Sequence, residues 1–452
     1  MATRWAARLL IAGVASAAMT LTLLNEGVAQ APAQKEAPGQ PATPLPGKEL
    51  TLEEAIAIAL QRQPQILSRI DAVVAAQARV DQALAPLLPQ STISWAATRS
   101  EAFSSTSRSS SFSTSSTLQI TLSQKLFDFG KNFATIDARK ADAEFSRADL
   151  ELQRDLIVLS VKTSYFTLLF SKRLVNVNQQ ALDRAELNLR SARGFFEVGT
   201  RPKSDVTRAE VDVANARVAV IQARNAVRLA RVALNTTMAI EVDAPTEVQD
   251  ILTYEPFPVE PKLLAQEALK TRPEYTKVKA QEASAEATLK EKFRQFFPDL
   301  TGSGSYGGTG SESGTTSATV FPFGEIWSLG VTLQWSWFDG LGNVAKYREA
   351  KANLDSARSN TKSQELLIRQ DVEQAYLALG EAEERIGAAQ KGVESAQENF
   401  RLAQGRFDAG VGTIIELTDA QLALTQAQST EAQALKDFRI AKATLEKALG
   451  RR

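Results

Sequence analysis

Hydrophobic positions along this chain follow two rhythms, steps of three and four residues over long stretches and steps of two over short ones. The first runs Val206, Ala209, Val213, Ala216, Val220, Ala223, Val227, Ala230, Leu234, four successive heptads. Such a run reads as a coiled-coil seam, with alanine at alternate positions allowing close helix approach. The preceding stretch, Lys131 to Arg193, contains neither Pro nor Gly and is rich in good helix formers. It predicts one continuous helix of roughly 95 Å at about 1.5 Å per residue. The step of two appears in Thr117 to Phe127, with Leu118, Ile120 and Leu122 on one phase, and in Ile326 to Trp337, with Trp327, Leu329, Val331, Leu333, Trp335 and Trp337. Weaker partners, Ile93-Trp95-Ala97 and Leu300 to Tyr306, complete two strand pairs, at about 90–100 with 117–127 and 299–308 with 326–337. These lengths suit membrane strands of about 9 to 11 residues. Polar loops, Ser100 to Ser116 and Gly307 to Gly324, separate the members of each pair.

The whole pattern occurs twice. Pro64 and Pro89 recur 209 residues on as Pro273 and Pro298, and from the strands onward the offset is 211: Phe127-Asp128 with Phe338-Asp339, Asn132 with Asn343, Gly199 with Gly410, Leu234 with Leu445. The second seam is Leu417, Ala420, Leu424, Ala427, Glu431, Ala434, Phe438, Ala441, Leu445, broken at Glu431 alone. Repeat 1 therefore spans 49–248 and repeat 2 249–452, each with a helical hairpin whose tip lies at about 194–205 or 405–416. The expected turns end one helix at Gly194 or Gly405 and begin the next at Pro202 with a Ser or Asp cap, or near Thr413.

Ahead of the repeats, Arg4 and Arg8 precede an apolar run to Leu24, and Gly27-Val28-Ala29 follows. This reads as a signal peptide over 1–29, with a membrane anchor as the alternative. Residues 30–48, with five prolines, read as a flexible leader. The chain has no cysteine and no histidine. Disulfides, thiolate metal sites and lipidation on cysteine are excluded, and the usual catalytic and metal constellations are missing, so no enzyme activity, cofactor or metal is expected. Lysine plus arginine equal aspartate plus glutamate at 52 each, which gives no nucleic-acid signal. After the signal no apolar run is long enough for a spanning helix, so membrane insertion must use strands.

Trp95, Trp327, Trp335 and Trp337 all fall on the apolar phase of the predicted strands. That placement resembles the aromatic girdles of a membrane barrel, the alternative being a β-layer in a soluble domain. Four strands leave two edges that lipid does not tolerate, so closure requires several chains. Two chains would give a filled barrel and three would leave a lumen.

Leu50 to Ala55 with Pro64, the Leu88-Pro89-Gln90 helix exit, Leu126 to Gly130, and the tips Val198-Gly199 to Asp205-Val206 and Gly410 to Asp419 together resemble the TolC-like outer-membrane efflux family over nearly all of the mature chain. The resemblance implies a mainly α fold with a membrane β-barrel: a homotrimer with a 12-strand β-barrel in the outer membrane and a 12-helix α-barrel in the periplasm. It further implies docking to a periplasmic adaptor protein and an inner-membrane pump of RND, ABC or MFS type, and a passive, gated exit path for drugs, small toxic compounds or type I secreted proteins. A periplasmic adaptor or a structural coiled-coil envelope protein is the alternative. Carried over by position, Asp205, Glu416 and Asp419 are candidate acidic pore residues at the periplasmic gate. The basic residue that family members often place in the second tip is here Gly412, and Arg201 is the nearest substitute. Val198, Gly199, Thr200, Gly410, Val411, Gly412 and Thr413 are candidates for adaptor docking. An acid in the first helical turn is also explained by the helix dipole, at about 0.3 to 1 kcal/mol. Missing histidine and a single mature methionine, Met238, speak against a dedicated soft-metal conduit.

Overall fold

The computed structural model describes residues 49–104, 106, 109–256, 261–313 and 324–452. The expected signal peptide, the leader and residues 314–323 of the second polar loop lie outside the described residues. The first set of elements is α1 (Leu52–Arg62), α2 (Pro64–Leu84), β1 (Gln90–Ser104), β2 (Ser109–Phe127), α3 (Lys131–Glu197) and α4 (Lys203–Thr237). The second is α5 (Pro261–Thr271), α6 (Pro273–Arg294), β3 (Asp299–Ser313), β4 (Gly324–Gln334), α7 (Gly342–Asp408) and α8 (Ile414–Ala448). Helices α3 and α7 each have 67 residues, and α4 and α8 each have 35, so the hairpins match residue for residue. A 67-residue helix is about 100 Å long.

Each element starts for a local reason. Thr51 and Glu54 form a reciprocal capping box at the head of α1. Pro64 and Pro273 occupy the first position of α2 and α6, where the missing N–H costs nothing. At the corner between β2 and α3 the carboxylate of Asp128, 6% exposed, accepts hydrogen bonds from the backbone N–H of Gly130 (3.0 Å) and Asn132 (2.9 Å). Asp339 does the same for Asn343 at 2.7 Å. The repeated Phe-Asp pair is thus a helix-starting corner, tight enough to hold Phe129 (φ 52) and Leu341 (φ 71) in the left-handed region.

The four strands form one antiparallel sheet in the order β1-β2-β3-β4. Strands β1, β2 and β3 are longer than the hydrophobic alternation predicts, because ladder bonds continue through Ser-, Thr- and Gly-rich backbone that carries no apolar phase. Most of the expected loop Ser100 to Ser116 is therefore strand, up to Ser104 and again from Ser109, and β3 runs on to Ser313. Strand β4 is displaced instead. It starts at Gly324 and stops at Gln334, opposite Asp299, so Trp335 and Trp337 lie beyond it. The residue before Asp299 is Pro298, which has no N–H to extend the ladder. Gly307 is required by close approach, since a Cβ there would lie 2.1 Å from the Leu118 carbonyl oxygen.

The helical core is a set of seams. On α4, Ala209, Val213, Val220, Ala223, Ala230 and Leu234 are buried, and on α8 Leu417, Ala420, Leu424, Ala434, Phe438 and Leu445 are. Helix α3 packs on α4 and on α8, and α7 packs on α8. No described helix is long and apolar enough to cross a membrane.

Candidate functional site: a two-faced sheet and paired hairpin tips

Register places the apolar residues of the sheet in rows on one face. Ile93, Ile120, Tyr306 and Trp327 form one row across all four strands, with Trp95 and Leu118 one rung above and Leu122 and Leu329 one rung below. All of these side chains are exposed, Ile93 at 70%, Trp327 at 72% and Leu329 at 76%. The other face is polar: the Thr117 and Thr309 hydroxyls meet at 3.1 Å, and those of Ser305 and Ser328 at 2.7 Å. Hydroxyl pairs satisfy one another while still offering lone pairs to water. Trp335 (58% exposed) donates its indole N–H to the Phe296 carbonyl at 3.0 Å, and Trp337 is 81% exposed beside Phe338. Trp95 donates to the Ser116 hydroxyl at 3.1 Å.

Both tips turn through a glycine in the left-handed region, Gly199 (φ 74) and Gly410 (φ 77). Gly194 and Gly405, expected as the stops, lie inside α3 and α7; a left-handed residue ends a helix, and these two keep helical backbone. The carbonyls of Phe196 and Phe407 accept from the N–H of Gly199 (2.9 Å) and Gly410 (3.0 Å). Helix α4 begins after Pro202 without a side-chain cap, so Ser204 and Asp205 are first-turn residues rather than caps. At the second tip Thr413 does cap, accepting from Glu416 N–H at 3.2 Å. Val198 and Val411 project from the turns at 71% and 72% exposure.

Arg201 joins the two tips. Its guanidinium donates to the Gly412 carbonyl at 2.7 Å and to the Phe407 carbonyl at 3.4 Å, and pairs with Asp205 at 3.5 Å. It lies 4.3 Å from the Phe407 ring centroid and 5.7 Å from that of Phe195, two rings themselves packed edge to face at 5.8 Å. Phe407, Ile414 and Leu417 are the buried floor of this cluster. Gly412 is a glycine because a Cβ would sit 2.9 Å from Phe407 N and 3.0 Å from Arg406 C. The expectation that Arg201 substitutes for a basic residue at 412 thus meets a specific geometry: Arg201 binds the backbone of 412 itself. Among the acids, Asp205 pairs with Arg201 and Glu416 with Arg406 at 3.2 Å, whereas Asp419 is exposed with no ion pair among the described residues.

Above the tips, polar side chains cross between the hairpins. Asn188 on α3 donates to Gln421 on α8 at 2.8 Å, Gln421 donates to the Ala181 carbonyl at 2.9 Å, and Arg184 donates to Gln428 at 3.5 Å. Burial lowers the pKa of Arg184, with the Asp183 charge opposing.

Where α5 meets α6, Arg272 is 2% exposed and binds Glu274 (2.9 Å) and Asp371 (3.2 Å), while Lys447 also reaches Glu274 at 2.9 Å. Burial alone would raise the Glu274 pKa, but hydrogen bonds and charge from Arg272 and Lys447 outweigh it and hold the carboxyl down at about 2. Sequence pattern did not single out this cluster. A charged Arg272 and Glu274 flanking Pro273, where repeat 1 has Gln63 and Gln65 around Pro64, is the signal that could have found it.

A four-stranded sheet with one apolar and one polar face, continued by two helical hairpins of matched length, defines the channel-forming subunit of a TolC-like channel-tunnel. The chain belongs to the outer membrane efflux protein family, whose model matches residues 55–239 and 264–451. Solved structures agree on the fold. They include the CmeC outer membrane channel of Campylobacter jejuni (17% identity, TM-score 0.79, covering 88% of this chain and 85% of that one). The outer membrane protein VceC of Vibrio cholerae matches at 19% identity and TM-score 0.77, over 88% of this chain and 96% of that one. The open state of the Neisseria gonorrhoeae MtrE outer membrane channel matches at 22% identity and TM-score 0.75, over 88% and 89%. No curated protein sequence matches.

Proposed function

We propose that three copies of this chain form an outer-membrane channel that gives substrates a passive, gated exit from a periplasmic adaptor and an inner-membrane pump. One observation carries the reading: the sheet exposes a continuous apolar face and a polar face, and β1 and β4 have no further strand among the described residues. An apolar sheet face of this kind fits lipid, and its edges need neighbours. Twelve strands from three chains enclose a lumen lined by the Thr and Ser hydroxyls. Trp95 and Trp327 mark one membrane interface and Trp335 and Trp337 the other. Trp327 and Trp335 are separated by roughly 27 Å of extended chain, which at a strand tilt of about 40° rises ~21 Å and spans most of the ~25 Å apolar band of such barrels.

The tips form the periplasmic mouth in this reading. Asp205 and Glu416 already have basic partners, so Asp419 is the acid left to present a threefold carboxylate ring to cations. Val198 and Val411, held outward by the turns at Gly199-Thr200 and Gly410 to Thr413, are the apolar contacts offered to an adaptor. Drugs, small toxic compounds and secreted proteins are all compatible with a conduit whose transport energy comes from the pump. The test is purified protein in planar bilayers, run beside unheated gel electrophoresis. Discrete channel steps from a heat-modifiable trimer are expected; a detergent-soluble monomer without conductance would overturn the reading.

A further inference from the structure

Strand β2 ends in a bulge. Gln124 pairs with Gly302 and Lys125 with Thr301, but the next pair is Phe127 with Leu300, which leaves Leu126 as an extra residue on β2. A bulge re-aims the side chains that follow it. Leu300 stands opposite Leu333 on the apolar face, so Phe127 joins that face instead of the polar phase it would otherwise share with Ser123 and Lys125. Leu126 lies there too, its Cδ1 3.3 Å from where a Cβ on Gly302 would be.

The apolar face therefore continues past the strand ends. Phe129 packs edge to face on Phe127 at 4.8 Å and stacks on Phe297 at 5.2 Å, and Phe297 meets Phe293 at 5.8 Å, which in turn lies 6.2 Å from Tyr347. This row of rings links the β2–α3 corner to the end of α6 and the start of α7. Phe127 and Phe293 remain 54% and 52% exposed, so the rings touch one another and nothing in the chain covers them. The quasi-equivalent junction is built differently, since Phe293, Phe296 and Phe297 answer to Leu84, Leu87 and Leu88, and Phe129 answers to Gly340.

Charge gathers at the same place. Residues 286–294 and 342–351 hold twice as many basic as acidic side chains, whereas 274–285 hold two of each and 77–85, the counterpart in repeat 1, one of each. Lys290 precedes Phe293 by three residues and Lys351 follows Tyr347 by four, so each shares a helix face with its ring, and Arg348 lies one turn from Lys351. Lys290 pairs with Glu286 of its own helix at 2.8 Å. Arg348 and Lys351 are exposed and make no ion pair among the described residues.

We propose that this collar binds an anionic phospholipid of the membrane leaflet nearer the helices, with acyl chains against Phe127, Phe129, Phe293 and Phe297 and the phosphate among Lys290, Arg348 and Lys351. The proposal rests on the membrane-channel reading above and adds a headgroup preference to it. Rings alone would suit any phospholipid, but a basic excess one to two turns below them selects a net negative headgroup over a zwitterionic one, by about fivefold for each basic side chain near the surface. Three copies present three such surfaces rather than six, because the equivalent junction lacks both features.

The test is native mass spectrometry of the whole protein in detergent with equimolar phosphatidylglycerol and phosphatidylcholine of matched chains, run beside bilayer conductance. Wild type should retain phosphatidylglycerol in preference. Lys290→Gln with Arg348→Gln and Lys351→Gln should lower that preference at least about fivefold. Lys362→Gln with Lys391→Gln and Arg401→Gln, which removes three exposed basic side chains further along α7, should change it by less than about twofold. No preference in wild type, a smaller fall in the first variant, or a larger one in the second would overturn the collar as a lipid site; channel steps in the same preparation would leave the channel standing. A protein that gives no channel steps and retains neither lipid would overturn both.

Discussion

At the first tip Arg201 reaches across to the second hairpin, while 211 residues on the chain has Gly412, whose carbonyl receives that arginine. Midway along the long helices the reverse holds: repeat 1 places Gln63 and Gln65 around Pro64, with Gln63 donating to the Thr237 carbonyl at 3.1 Å, and repeat 2 places Arg272 and Glu274 around Pro273, with Arg272 paired to Asp371 in the middle of α7. Backbone and seam are therefore duplicated, and buried charge is not. A neutral amide satisfies one carbonyl; a guanidinium held among two carboxylates joins three elements. The difference teaches that the copies share a scaffold and diverge where one must be tied down.

Substituting Arg272→Gln, which installs the residue of repeat 1, should have the largest effect. It leaves Glu274 with Lys447 alone and removes the guanidinium from Asp371, at a cost of about 3–5 kcal/mol. Thermal unfolding in detergent followed by circular dichroism should show a lower midpoint, whereas Gln63→Ala should cost about 1 kcal/mol, the worth of one hydrogen bond. The linkage sign follows from the Glu274 pKa. It is depressed to about 2 from an ordinary 4.5, so its contribution is complete above pH 4.5 and is lost as pH falls toward 2. Glu274→Gln should be less stable than wild type at neutral pH, with the gap closing between pH 4.5 and 2. A gap unchanged across that window would remove the charged cluster from the account.

The next effects are at the tips. Arg201→Ala strips the Gly412 and Phe407 carbonyls and the Asp205 carboxylate of a shared donor, about 2–3 kcal/mol by the usual cost of orphaned buried groups. The loss should be local, read as faster hydrogen exchange and proteolysis at residues 195–205 and 406–416 with little change in global unfolding. Gly412→Ala attacks the same contact from the other side. Its Cβ would press on backbone at Phe407 and Arg406, and overpacking of this kind costs about 1–3 kcal/mol. Equal exchange in both variants and wild type would mean that the tips are not joined through Arg201.

The long helices and seams were legible because heptad spacing is a property of neighbours on one helix, readable without knowing what packs against it. Strand length was not, since Ser104 and Ser109 to Ser116 extend the ladder through backbone bonds that no hydrophobic phase records. The four tryptophans pointed to the apolar face, although Trp335 and Trp337 fall past the strand end that Pro298 imposes. Arg201 itself stood out as the substitute for a basic residue at 412, but its partners were hidden: they are backbone carbonyls 206 and 211 residues away, and a carbonyl has no signature in sequence. The trace that existed was paired volume, an arginine in one copy opposite a buried glycine in the other.

The smallest effect on stability should come from Asp419→Ala, which sharpens the comparison between acids that hold the tips and acids that face the opening. Asp419 is exposed and has no ion pair among the described residues, so its removal should change stability by less than about 0.5 kcal/mol. Asp205→Ala removes the carboxylate partner of Arg201 and should loosen the tip in the same exchange experiment. In bilayer recordings the ranking inverts. Asp419→Ala should weaken block by divalent cations from the periplasmic side, because three unpaired carboxylates concentrate cations at a mouth more than three already neutralised ones. Glu416→Ala, which removes an acid held by Arg406, should weaken block less. Block reduced equally by both, or by neither, would separate the acidic ring from the ion-pairing pattern seen in the single chain.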